Sequence, residues 1–131
     1  MVWESTGGTP VAHLPPPKLV FGLPGNPVST FVSFKLFVEP ALAALAGAEF
    51  AAPATRRAVL ASTFKHRGKR PTYQPCRVVG EDASTGRSVV ETLDWKGSAD
   101  LATLTRSECL AALPEGDYEL TAGDVVDVLP L

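Results

Sequence analysis

The spacing of apolar side chains changes once along this chain, and the change divides it. Between Val28 and Leu45 they recur as Phe31, Phe34, Val38, Leu42 and Leu45, three or four positions apart, the period of one helix face. Asn26 is a good N-cap and Pro27 suits the first helical position, where its missing N–H leaves no bond unmade. Gly47 follows as a C-terminal cap. Pro40 lies inside the pattern. It removes the backbone bond to Leu36 and predicts a kink or a split into two helices. Ahead of the helix, residues 18–21 form a short apolar run, read as a strand that ends in the turn 22–27. Residues 1–17, closing on Pro15-Pro16-Pro17, read as an irregular or extended lead-in.

Residues 48–58 are Ala-rich, carry Pro53 and Arg56-Arg57, and read as a linker. Beyond them the texture shortens to candidate strands at 59–65, 73–79, 88–93, 110–113 and 124–129. Turn clusters at 66–71, 80–86, 114–116 and 122–123 part them, a spacing that predicts a compact β-barrel or sandwich. One helical turn is expected at 98–105, with Ser98 as its cap and Asp100 in its first turn. The fold class is therefore an α/β remnant, strand–loop–helix, over residues 1–47, followed by a small all-β barrel-like C-terminal domain over 48–131.

Composition narrows the classes. With 131 residues, 45% hydrophobic and 20% charged, the chain is globular in character. A chain of this size buries roughly two thirds of its unfolded surface and needs no disulfide or metal to fold. Twelve Lys and Arg against fourteen Asp and Glu leave a net charge of -2, which provides no global field for nucleic acid or an anionic membrane. The basic run His66-Arg67-Gly68-Lys69-Arg70 has no interleaved aromatics; it reads as a solvated hairpin loop or a phosphate-facing rim. His13 and His66 lack ligand spacing and read as surface residues. Cys76 and Cys109 form no CxxC pair and read as buried thiols, with a disulfide or a reactive thiol as the alternatives. Lys35, Glu39, Pro40 and Glu49 interrupt the most apolar stretch, so a membrane span is not expected. Met1 is not followed by a basic region and an apolar core, and a cytoplasmic location is expected.

The segment 18–30 carries the chemistry. A strand running through a Gly/Pro loop into a helix start aims the first-turn N–H groups at whatever lies beyond, and an oxyanion there gains about 0.3–1 kcal/mol from the helix dipole. Gly22 and Gly25 permit close backbone approach, and Ser29 adds a hydroxyl. Pro24 and Pro27 stiffen the loop and remove two donors. Units of this kind are also common as plain structure.

The string Phe21-Gly22-Leu23-Pro24-Gly25-Asn26-Pro27-Val28-Ser29 resembles the signature of the molybdopterin molybdenumtransferases, the MoeA/gephyrin E-domain family. The resemblance continues through Phe37-Val38-Glu39-Pro40-Ala41-Leu42, Arg70-Pro71-Thr72-Tyr73, Gly97-Ser98 and Leu104-Thr105-Arg106-Ser107. It closes on Leu113-Pro114-Glu115-Gly116 and on Ala122-Gly123-Asp124-Val125-Val126-Asp127-Val128. Such a resemblance implies an enzyme that inserts molybdate into adenylylated molybdopterin and releases AMP, assisted by magnesium, and that is a homodimer in its full form. Pro24, Gly25, Asn26, Pro27 and Ser29 would line the substrate or molybdate cleft, with Arg70, Ser98 and Arg106 facing it from the barrel. No catalytic residue is assigned.

The departures limit what carries over. The loop stands near the start of this chain, whereas the family places it after an elongated region and most of an α/β domain. The magnesium ligands and most of the pterin pocket are expected in that other portion. Gln74-Pro75 stands where the family usually has a basic residue. An isolated strand and helix cannot cover their own apolar face, so 31–45 should stay exposed unless a partner chain or a dimer buries it. A non-catalytic interaction or dimerisation module and an oxyanion-binding fragment are the alternative readings.

Overall fold

A computed structural model describes residues 18–49, 53 and 55–131. The lead-in 1–17 with His13, and residues 50–52 and 54 of the expected linker, lie outside the described residues.

Helix α1 runs Pro27–Leu45. Asn26 is extended (φ -78, ψ 130) and Pro27 takes the first position as expected, but the Asn26 side chain makes no capping bond. Instead the Thr30 hydroxyl donates back to the carbonyls of Pro24 and Asn26, tying loop to helix. At the other end Gly47 sits at φ 86. Its N–H donates to the Ala44 carbonyl and the Ala48 N–H to that of Ala43, both at 3.0 Å, a paired closure that needs the left-handed glycine.

Around Pro40 the helix is not uniformly α-helical. The segment Phe34–Val38 widens into a π-helical turn, in which the Glu39 N–H donates to Phe34, five residues back. Inserting one residue ahead of the proline shifts the carbonyl that an α turn would set against its ring, and the helix resumes as Glu39–Leu45. Lys35 and Glu39 pair across this turn at 2.7 Å. Only the first part of α1 is packed. Phe37 and Leu45 are 62% and 66% exposed, the uncovered face that its isolation from a full sheet led us to expect.

Residues 18–21 meet no strand partner and are not in a ladder, and Val20 is 93% exposed. The expected strand does not form among the described residues, because a strand needs a neighbour to satisfy its backbone.

The second unit is the barrel. Its strands are β1 (Arg56–Leu60), β2 (Phe64–Gly68), β3 (Thr72–Glu81), β4 (Ser88–Thr92), β5 (Cys109–Leu113), β6 (Gly116–Leu120) and β7 (Val125–Pro130), with helix α2 (Leu101–Leu104) between β4 and β5. β1-β4-β3-β5-β7 close into a barrel, while β2 and β6 form a separate antiparallel ribbon. β1 lies parallel to β4 and antiparallel to β7, which seals the ring. All chain connections to the ribbon leave from one end of the barrel, and Phe64 and Leu120 pack from it onto the core of Ala58, Leu60, Cys76, Val90 and Ala111. One end is thus plugged.

The outer wall carries a second core. Leu110 and Leu129, which alternate with inward residues, meet Leu104 from α2 and Val28 from α1. Val28 is 1% exposed, and burying such a side chain contributes about 1.5–3 kcal/mol. This cluster, with a bond from the Val28 N–H to the Ser98 carbonyl at 3.1 Å, docks the helix on the barrel.

Several local expectations change. Arg56 and Arg57 belong to β1 and not to a linker, and β6 replaces what read as a turn followed by loop. His66, expected at the surface, is 4% exposed, because β2 alternates Phe64 and His66 inward against Lys65 and Arg67 outward. Asp100, not Ser98, caps α2.

Candidate functional site

The start of α1 and the barrel wall enclose a cleft of about 260 Å³. Val28, Ser29 and Val32 line it from the helix, and Thr72, Tyr73 and Trp95 line it from the barrel. Its geometry follows from the docking just described, since Val28 and Tyr73 belong to the same apolar cluster.

The donor inventory at the helix start is shorter than the loop sequence led us to expect. Pro24 and Pro27 have no N–H. The Val28 N–H is spent on Ser98, and the Thr30 N–H donates to Asn26 at 2.8 Å. Among the described residues this leaves the Ser29 N–H as the first-turn amide without a backbone partner, next to the Ser29 hydroxyl in the cleft. The Trp95 indole N–H is buried with no partner among the described residues. An amide and a hydroxyl between apolar walls suit a ligand with an anionic group and a flat apolar body, because donors without partners favour an acceptor.

The stretch that presents Trp95 is held by hydrogen bonds. Gln74 Nε2 donates to the Leu93 carbonyl at 2.8 Å. Asp100 accepts from the Thr103 hydroxyl at 2.8 Å, the Thr103 N–H at 3.0 Å and the Lys96 N–H at 3.2 Å. The Thr103 hydroxyl bond, then the two amides, hold the Asp100 carboxyl below its ordinary value.

Of the residues singled out from the sequence, Ser29 lines the cleft. Pro24, Gly25, Asn26 and Pro27 are exposed just ahead of it. Ser98 meets the helix through its carbonyl. Arg70 is exposed next to Pro71, and its carbonyl accepts from the Thr72 hydroxyl at 3.4 Å. Arg106 turns back on α2, donating from Nε to the Ala102 carbonyl at 3.3 Å and from Nη2 to the Thr103 hydroxyl at 3.2 Å. Trp95 was not singled out, because the polar stretch around it has no periodicity to mark it. Among the described residues no group of three or more His, Cys, Asp or Glu is placed to hold a metal ion, so these residues do not fit a magnesium site.

A closed barrel with one end plugged, and a Gly/Pro-loop helix docked on its wall over a cleft, defines a small barrel domain with an attached helix. A family model described as MoeA C-terminal region (domain IV) matches residues 57–131, and the chain belongs to that family. Over 112 residues it is 31% identical to a protein of Staphylococcus aureus strain N315 named molybdopterin molybdenumtransferase, and 29% identical to one of the same name from Staphylococcus epidermidis strain ATCC 12228. Each match takes in 86% of this chain and 26% of the relative, so the chain spans about a quarter of their length. Among solved structures, a molybdopterin biosynthesis moeA protein from Pyrococcus horikoshii OT3 superposes with TM-score 0.63 at 26% identity, over 82% of this chain and 26% of that one. A molybdenum cofactor biosynthesis protein from Pyrococcus furiosus superposes with TM-score 0.56 at 33% identity, over 82% of this chain and 36% of that one.

Proposed function

We propose that this chain serves molybdenum cofactor biosynthesis as the C-terminal portion of an enzyme that transfers molybdenum from molybdate to adenylylated molybdopterin, with release of AMP. The observation that carries the reading is that the relatives' likeness extends over 86% of the chain, and so runs beyond the barrel. The residues in hand would bind and orient: the Ser29 amide and hydroxyl would meet an oxyanion, while Tyr73 and Trp95 would flank a flat ring. Arg70, Ser98 and Arg106, with the loop Pro24 to Pro27, are proposed as the cleft's surroundings. The magnesium ligands would lie in the rest of a full-length enzyme. A homodimer in the cytoplasm belongs to the same proposal.

One observation favours a second reading, a docking module without catalysis. The distal half of α1 presents Phe37, Leu42 and Leu45 to solvent.

A chimera separates the two. Replacing the corresponding C-terminal portion of the Staphylococcus aureus relative by residues 18–131 should give a protein that releases AMP from adenylylated molybdopterin in the presence of molybdate. The isolated chain should not. A folded chimera that binds its substrate but never turns over would favour the docking reading, and turnover by the isolated chain would sink the view that it is only a portion.

A further inference from the structure

The ribbon plugs one end of the barrel, whereas the other end, where β1 and β5 begin and β7 ends, is open among the described residues. It forms a concavity of about 440 Å³, within the range of roughly 300–1,000 Å³ usual for small-molecule sites. Its floor is apolar: Val90, Cys109 and Val128 all face inward. Its rim carries three arginines, Arg56, Arg57 and Arg87.

Register settles how they stand. Arg56 lies opposite Val128, on the inner face of the wall, whereas Arg57 lies opposite Asp127 on the outer one. Arg87 is half-buried at the β3–β4 hairpin. That hairpin is tied together by hydrogen bonds. The Asp82 carboxylate accepts from Ser84 and from both the N–H and hydroxyl of Thr85, and the Asp82 N–H donates to the Arg87 carbonyl at 2.8 Å. None of the three arginines is in an ion pair among the described residues, whereas Arg77 nearby is neutralised by Glu91 at 2.7 Å. Glu108 is the one carboxylate in the lining, and its Oε2 already accepts from the Val78 N–H at 2.8 Å. A concave, apolar-floored mouth with unpaired guanidinium groups, Arg56 and Arg57 on β1 and Arg87 on the hydrogen-bonded hairpin, suits an anion.

We propose that this mouth is a second ligand site, taking a small phosphate ester whose phosphate meets Arg56 and Arg87 and whose apolar part lies over Val90, Cys109 and Val128. It is separate from the cleft under α1: Thr72 and Tyr73 at the start of β3 line the cleft, and Val78 toward the end of the same strand lines the mouth. The inference therefore stands whether or not the molybdenum reading does.

The test titrates phenyl phosphate and, separately, inorganic phosphate into the 131-residue chain while amide resonances are followed. Phenyl phosphate should bind saturably and more tightly than inorganic phosphate, shifting Val78, Ser88 and Cys109 and leaving Ser29 and Trp95 unmoved. The double variant Arg56→Gln/Arg87→Gln should weaken it by roughly tenfold or more, as expected for two charge-assisted contacts. Arg77→Gln should leave it unchanged. Arg87→Lys, which keeps the charge and loses the fork, provides a milder variant with a severalfold loss should the double variant fail to fold. Non-saturable binding, shifts confined to the cleft, or undiminished affinity in the arginine variants would each overturn the proposal.

Discussion

Cys76 on β3 and Cys109 on β5 stand directly opposite one another in the ladder, both buried inside the barrel and both free thiols. The hydrogen bond with Cys109, then burial, push the Cys76 thiol well above its ordinary value of 9.0. A raised thiol pKa stabilises the fold fully below that ordinary value, where the group is protonated in both states. Above it the unfolded chain ionises and the folded one does not, so the stability is lost as pH rises. The same bond lowers the Cys109 thiol, which acts the opposite way, so urea midpoints should fall above about pH 9 by what burial of the pair leaves over, and Cys76→Ala should change that alkaline limb. Tyr118, raised by burial, acts in the same direction above its own ordinary 10.0. An alkaline limb unchanged by Cys76→Ala would contradict the assignment.

The acid limb has the opposite sign. Hydrogen bonds from Thr85 and Ser84 draw the Asp82 carboxyl down to about 2, and those from Thr103 and Lys96 lower Asp100. Their contribution is present above the ordinary 3.8 and lost as pH falls through the lowered values. Asp82→Asn should loosen the β3–β4 hairpin, and Asp100→Ala should uncap α2. Faster amide exchange at Thr85 in the first variant and at Thr103 in the second would report each effect.

Docking of α1 rests on few side chains. Val28→Ala should cost about 2 kcal/mol, and Leu110→Ala, which hollows the wall beneath the helix, about 2–5 kcal/mol. Val28→Asp goes further and should release α1 while the barrel stays folded. Protection of the helix amides would then collapse while those of β3 and β5 stay slow. Cooperative loss of both would show that helix and barrel fold as one unit.

The distal face of α1 should behave as a surface that awaits cover. Phe37→Ser and Leu45→Ser should change stability by no more than about 0.5 kcal/mol. Both should reduce self-association in sedimentation of the isolated chain. A large destabilisation would mean that these side chains pack within the chain.

Much of this architecture is legible from the sequence where apolar spacing is regular. Asn26-Pro27 marks the helix start, and the apolar runs of β3, β4, β5 and β7 mark most of the barrel wall. The ribbon is less visible, since β2 and β6 carry Lys65, Arg67, Asp117 and Glu119 on their open face and Phe64, His66, Tyr118 and Leu120 on the inward one. β1 begins with two arginines because they stand at a mouth, and a charged pair after alanines resembles a linker. Asp100 outranks Ser98 as a cap because the turn starts later than the polar residues before it imply. The cleft is the least legible part. Its walls come from α1, β3 and the stretch after β4, so Trp95 acquires its place only once the barrel is closed.

That closure has a consequence for how the protein is made. The seam joins β1, which the chain supplies first, to β7, which it supplies last, with Arg57 opposite Asp127 across it. Hairpins such as β3–β4 can form while synthesis is under way, since they need only neighbouring residues. The ring itself must wait until its final strand has left the ribosome, and until then β1 has an unpaired edge open to other nascent chains. A chain cut short before β7 should accordingly be a substrate for chaperones and proteases and not a smaller barrel.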